Sequence, residues 1–321
     1  MITVPQLPAD QRLDAVTPKL RPMALATLLR RPRYGPLDKP QTEQIVAHFL
    51  TSDDIPFDLS RQFLVRCKRQ PLASSLWTLL PGRAAVIYVA PTTTDQARQA
   101  ATACVIAACR AAQTAGCHIA EMQLELDDQP LVPFLTAAGL ETLGTLVMLQ
   151  RLTPGHAELP TLPPDYGLQT YTEALAPVFK ATVGESYIDT LDCPALVGRR
   201  TLDDIMTGYQ AVGQFDPASW YLLSDGPRPV GVVLINRLQT ATLYVAYLGI
   251  IPAYRGRKLA HLLMQLVQHQ AVARNCPEMQ IAVDEANTPA LDLYRGYGFM
   301  TSLRRLAMLA DLRTAIKENR E

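Results

Sequence analysis

Leu248-Gly-Ile-Ile-Pro252-Ala-Tyr-Arg255-Gly256-Arg257-Lys258-Leu259-Ala260 is the stretch that decides how this chain reads. The residues leading into it, Ala241 to Ile250, form an apolar run suited to a strand. After it, Leu259, Leu262, Leu263, Leu266 and Val267 recur at helical spacing, which predicts a helix from about Arg257 to Arg274 with one apolar face. A strand-to-helix turn leaves backbone N–H groups unpaired at the positive end of a helix dipole, which suits a diphosphate. Arg255 and Arg257 add positive charge there, and Gly256 permits close backbone approach. Lys258 stands in the expected first helical turn, where it needs no positive φ. Its side chain either reaches a phosphate or crowds the site.

Working outward, Glu278 to Val283 reads as a strand, Pro289 to Gly296 as a helix and Thr301 to Leu309 as a last strand. Val230 to Arg237 is a further strand ahead of the quoted stretch. The first half repeats this order: strands at Leu72–Leu80 and Ala84–Ala90, a helix from about Asp95 to Gln113, a strand Ile119–Leu126, a short helix Pro130–Ala138 and a strand Thr145–Leu152. Local sequence repeats as well. Glu121-Met-Gln-Leu-Glu-Leu-Asp127 stands against Glu278-Met-Gln-Ile-Ala-Val-Asp284, and Pro130 with Gly139-Leu140 matches Pro289 with Gly298-Phe299 at equal spacing. A tandem duplication of a domain-sized unit follows from the shared order. The prolines of Thr153 to Pro164 lock φ and remove donors, which makes that stretch the expected linker.

The quoted stretch resembles the pyrophosphate-binding motif of the GNAT superfamily of acyl-CoA-dependent N-acyltransferases, Arg/Gln-x-x-Gly-x-Gly/Ala. Downstream, Asn287-Thr-Pro-Ala290-Leu-Asp-Leu-Tyr294-Arg-Gly-Tyr-Gly298-Phe299 is similar to the superfamily's second signature, Asn-x-x-Ala-x-x-x-Tyr-x-x-x-Gly-Phe. One departure is Lys258, where the family usually has glycine. The resemblance covers the C-terminal half; in the N-terminal half only the outline survives. It implies an α/β (α+β) fold of two GNAT-like domains, each a mixed, mostly antiparallel sheet flanked by helices. The expected divisions are a degenerate domain over 1–155, a proline-rich linker over 156–164, an acetyltransferase domain over 165–311 and a tail over 312–321.

By the same resemblance, Leu248, Gly249, Ile250, Arg255, Gly256, Arg257, Lys258, Leu259, Ala260 and Asn287 hold acetyl-CoA, and an amide near Ile250 polarises the thioester. Pro252 cannot supply that contact, having no N–H. Tyr294 matches the tyrosine that protonates the departing thiolate, a sensible task for a phenol with pKa ~10 beside a thiol with pKa ~8.5; packing in the core is its other reading. Asn287 equally suits an N-cap. At the equivalent turn the first half reads Pro91-Thr-Thr-Thr-Asp95-Gln-Ala-Arg98-Gln99, with a carboxylate where a phosphate belongs, and Leu135 stands in the place of Tyr294. The first domain is therefore expected to bind no coenzyme and to play a structural part.

An amine acceptor arrives protonated and must lose a proton. The strand Thr242-Leu-Tyr-Val-Ala-Tyr-Leu248 holds no carboxylate. Glu185, Asp189, Asp192, Asp284 and Glu285 remain as acids within reach, and the sequence selects none of them. Gly184 to Pro194 is polar and aromatic; Tyr187, Asp189 and Asp192 within it are expected to shape the acceptor pocket. Cys193 has no histidine nearby in sequence and reads as a structural thiol.

Composition bounds the rest. The 321 residues suit about two domains. A 48% hydrophobic share excludes wholesale disorder, and 30 basic against 30 acidic residues disfavour a nucleic-acid partner. Arg30, Arg31 and Arg33 form a basic cluster among prolines that reads as a solvated loop. Met1 to Pro5 lacks the pattern of a signal peptide, and the apolar run Ala100–Cys109 is half the ~20 residues of a membrane helix. The six cysteines form no Cys-x-x-Cys pair and the five histidines are scattered, so no metal site is expected. The reading is a cytoplasmic N-acetyltransferase passing acetyl from acetyl-CoA to a primary amine, either a small molecule or a peptide N-terminus. The alternative is an acyl-CoA sensor without turnover.

Overall fold

The computed structural model describes residues 2–30, 39–52, 55, 57–239, 241–314 and 316–318. Arg31 and Arg33 of the basic cluster lie outside them. The chain divides into two compact units, one of residues 1–143 with 306–321 and one of residues 144–305.

The first unit contains β1 (Ile2–Val4), β2 (Gln11–Ala15), α1 (Arg21–Leu28), α2 (Lys39–Thr51), β3 (Gln62–Cys67), β4 (Gln70–Leu80), β5 (Ala84–Val89), α3 (Asp95–Thr114), β6 (Ile119–Leu124) and α4 (Val132–Ala137). Next come β7 (Glu141–Leu152), β8 (Tyr166–Thr170), α5 (Ala176–Ser186), α6 (Leu202–Ala211), β9 (Trp220–Asp225), β10 (Arg228–Arg237) and β11 (Leu243–Ile250). The chain ends with α7 (Leu259–Ala273), β12 (Glu278–Asp284), α8 (Thr288–Gly296), β13 (Met300–Asp311) and β14 (Ile316–Glu318).

In the first unit the strand order is β2-β3-β4-β5-β6, followed by residues 306–311 of β13. Every neighbour is antiparallel except β5 and β6. In the second unit the order is β8-β9-β10-β11-β12-β7, again antiparallel except for one pair, β11 and β12. The two sheets thus share one plan. Their last strands come from unexpected places. Residues 146–152 of β7, in the first half of the sequence, pair with β12, while residues 306–311 of β13 pair with β6. The division therefore differs from the expected 1–155, 156–164 and 165–311: the proline-rich stretch lies inside the second unit, and the expected tail begins inside the first.

Local chemistry explains the elements around the site. In α7, Leu259, Leu263, Met264, Leu266, Val267 and Ala271 are buried, the stripe that the spacing predicts. Helix α8 starts where the Asn287 side chain accepts the Ala290 N–H at 3.3 Å, has Pro289 in its first turn, and is followed by Gly298 at φ +79°. A separate aromatic cluster, Tyr171, Phe179 and Trp220, anchors α5 against β9 and β10.

Candidate active site

Strands β11 and β12 pair only over Leu243–Val245 and Met279–Ile281 and then part. A register shift between Leu234 and Ile235 of β10 leaves Ala246 unopposed, a bulge of the kind that ends pairing and re-aims a strand. The Ile251 N–H donates to the Val230 carbonyl on β10. Strand amides alternate sides, so those of Leu248 and Ile250 point away from β10, toward the side where β12 has diverged.

A cleft of about 480 Å³ occupies this opening. Leu248, Gly249, Ile250, Arg255 and Gly256 line it, and so do Lys258, Leu259, Ala260, Asn287 and Tyr294. Asp189 and Asp192 contribute from the loop after α5. Two residues expected here stand elsewhere. The Arg257 guanidinium stacks 4.3 Å from the Tyr254 ring centre and donates to the Ala253 carbonyl at 3.2 Å. Tyr187 packs edge-on against Tyr247 and shares a hydroxyl–hydroxyl hydrogen bond with Tyr209.

The turn into α7 is bare. Gly256 and Lys258 adopt φ +75° and +60°, α7 has neither a side-chain cap nor an acid in its first turn, and none of the five amides from Gly256 to Ala260 donates to a described residue. The first α7-proximal bond is from the His261 N–H to the Lys258 carbonyl. Alternating left-handed residues with free amides form a concave anion nest, here reinforced by the helix dipole. Lys258 corrects the expectation of a relaxed helical lysine: it is left-handed, a conformation that costs a side chain with a Cβ roughly 1–2 kcal/mol. Glycine at this place would be free of that cost.

Arg255 is committed to the backbone. Its guanidinium donates to the carbonyls of Ile250 (3.2 Å), Ser186 (3.0 Å), Ile188 (2.7 Å) and Asp189 (3.1 Å). It thus closes the C-terminal end of α5 and braces the loop of 187–192, where the sequence suggested a charge aimed at the anion. Gly249 is required by packing, because a Cβ there would lie 2.6 Å from the Ser186 hydroxyl and 2.7 Å from the Tyr247 ring. Sequence reasoning missed that hydroxyl pair, Ser186 and Tyr247, 2.8 Å apart. Tyr247 sits in a legible strand, but its partner is 61 residues away.

Tyr294 is buried, 5% exposed, and among the described residues its hydroxyl has no hydrogen-bond partner. Burial, and then the negative Asp192, push its phenol well above the usual tyrosine value, so it remains a protonated donor. Asn287 does cap α8, and its amide lies near enough to favour the charged form of the Asp192 carboxyl. Cys193 is buried at φ +44° and its N–H donates to Asp284 at 3.2 Å, a structural setting. No helix among the described residues is long and apolar enough to cross a membrane.

Residues 189–299 match the sequence model described as the Acetyltransferase (GNAT) family. The whole chain is similar in fold to a GCN5-related N-acetyltransferase from Sphaerobacter thermophilus, with 17% identity, a TM-score of 0.62 and coverage of 97% of this chain and 99% of that one. It is also similar to a tandem GNAT protein from the clavulanic acid biosynthesis pathway, at 15% identity and a TM-score of 0.50, over 95% and 99% of the two chains. These likenesses span both units and establish a fold of two GNAT-like domains. The open turn and the second signature both lie within the segment 189–299 that matches the GNAT acetyltransferase model.

Proposed function

We propose that the second unit transfers an acetyl group from acetyl-CoA to a primary amine by direct attack, with no acyl-enzyme. The observation that carries this is the run of five unengaged amides from Gly256 to Ala260 at the mouth of the β11–β12 opening. They suit the coenzyme's diphosphate, with Lys258 adding charge. The pantetheine arm would then run along β11, where the Leu248 and Ile250 amides have lost a strand partner and one of them can polarise the thioester carbonyl. Tyr294, a free phenolic donor in the same cleft, protonates the departing thiolate. Asn287 orders the wall beside it. The first unit plays a structural part, and the reaction belongs to the cytoplasm.

Calorimetric titration with acetyl-CoA, followed by release of CoA thiol in the presence of small primary amines, tests the reading. Binding with thiol release is expected. No binding at millimolar acetyl-CoA would overturn it. A sensor without turnover is the second reading, favoured by the Lys258 side chain lining the coenzyme end of the cleft; binding without thiol release on any amine would select it.

A further inference from the structure

The strand beside the thioester position carries no acid, so a proton acceptor has to come from elsewhere in the fold. Five acids compete, and the structure separates them. Glu185 is exposed and pairs with Arg228 at 3.3 Å, and Glu285 pairs with Arg304. Asp284 is buried away from the cleft, accepts the N–H groups of Cys193 (3.2 Å) and Ala286 (2.9 Å), and lies against the backbone of Gly144. Asp189 and Asp192 both line the cleft from residues that are exposed overall, but the Asp189 carboxylate accepts no hydrogen bond among the described residues, and Arg255 holds only its backbone carbonyl.

Asp192 alone combines access with a rigid mount. Its Oδ1 accepts the Asp284 N–H at 2.7 Å, and the nearby Asn287 amide favours the charged form of the same carboxyl. The next residue's N–H is held by the Asp284 carboxylate, so residues 192 and 284 clasp each other across 92 positions of sequence. Arg255 braces the other end of the loop through Ser186, Ile188 and Asp189. A carboxylate has about four acceptor directions, so room remains for an incoming ammonium.

We infer that Asp192 is the base that binds the acceptor as a cation and takes its proton. This rests on the acetyl-transfer reading above. The carboxylate removes one proton from the ammonium; the freed nitrogen lone pair attacks the thioester carbonyl, the C–S bond breaks, and Tyr294 gives its proton to the sulfur and recovers the second one lost by nitrogen. Asp192 then releases its proton to solvent, so the sum is one amide, one thiol and one proton. Loss of hydration, and then the Asp284 charge, hold the Asp192 carboxyl above the ordinary aspartate value, which strengthens it as a base. The groups facing it are Asp284 of β12, Tyr187 of the α5 end, Tyr209 of α6, Tyr244 and Tyr247 of β11, and Tyr294 and Asn287 around α8. Exposed Leu191, beside it in the cleft lining, favours an amine carrying an apolar group.

The test compares the full-length protein with Asp192→Asn, which keeps an oxygen for the Asp284 N–H, using acetyl-CoA with benzylamine, ethanolamine and spermidine across pH. The active wild-type form pairs a carboxylate with an ammonium, so kcat/KM should fall as pH drops through a carboxyl value raised above the usual ~3.9. The variant should lose that acid limb and about 10²–10⁴ in kcat at neutral pH. Its remaining rate should climb with pH in step with the neutral amine, while its thermal midpoint stays at the wild-type value. A variant that keeps the wild-type rate and acid limb overturns the base and leaves the transferase reading standing. A wild type that binds acetyl-CoA but acetylates none of the amines overturns both.

Discussion

Helices α3 and α7 leave the same strand in two sheets of one plan, and their N-termini are opposites. At α3, the Thr94 side chain accepts the Ala97 N–H at 3.2 Å, the Arg98 N–H goes to the Thr94 carbonyl, and Asp95 puts a carboxylate in the first turn, paired with Arg98. The helix dipole is answered by the chain itself. At α7 no side chain caps the turn, and five successive amides are unengaged among the described residues. The strands differ in the same sense. Strands β4 and β5 pair without a break from Ser75 to Leu80, whereas β10 and β11 slip at Ala246. Leu135, fully buried in the apolar core of the first unit, stands where the second has Tyr294. A shared topology therefore does not make a site; unpaired amides at one helix end and a broken register do.

The sharpest way to break the contrast is to move the second unit toward the first. Tyr294→Phe should lower kcat by about 10²–10⁴, with little change in thermal stability because the lost hydroxyl has no partner among the described residues; steady-state kinetics and a melting curve check both halves. Next, Lys258→Asp places a carboxylate at the open turn, as Asp95 does at α3, and should weaken acetyl-CoA binding by about 10–100-fold, or ~1.4–2.7 kcal/mol, read by calorimetry. Arg255→Lys removes the planar fork from four carbonyls and should cost about 1–2 kcal/mol in denaturant unfolding, whereas Arg257→Ala should change stability by less than about 0.5 kcal/mol. Smallest, Lys258→Gly relieves the left-handed backbone at the expense of chain entropy, a net gain of about 0.5–1 kcal/mol, visible as a higher melting point. An Arg255→Lys variant as stable as the wild type would remove the brace from the account.

Much of this was legible because short-range rules govern it. The apolar stripe of α7, the Asn-Thr-Pro start of α8 and the glycine that ends it are each decided within a few residues, and all appear at their expected places. The open turn was legible too, since the absence of capping residues before Leu259 is a sequence fact. The directions of the arginines were not. Arg255 reaches carbonyls more than 60 residues away, so no local pattern reports whether its guanidinium meets an anion or a helix end. Lys258 was misjudged because a family glycine at a helix start is compatible with either a helical or a left-handed backbone.

Taken alone, the sequence determined two like units, the strand–turn–helix that leaves amides free in the second, and the Asp95 carboxylate at the matching turn of the first. These follow from hydrophobic period, proline, glycine and capping chemistry, all local in the chain. Only the tertiary structure decided that β7 joins β12 and residues 306–311 join β6. The two strands follow similar helix–glycine turns, at Gly139 and Gly298, so no short-range signal in the chain says which edge each one joins. It also brought Asp192 to Asp284, because a contact across 92 residues depends on where the whole chain folds.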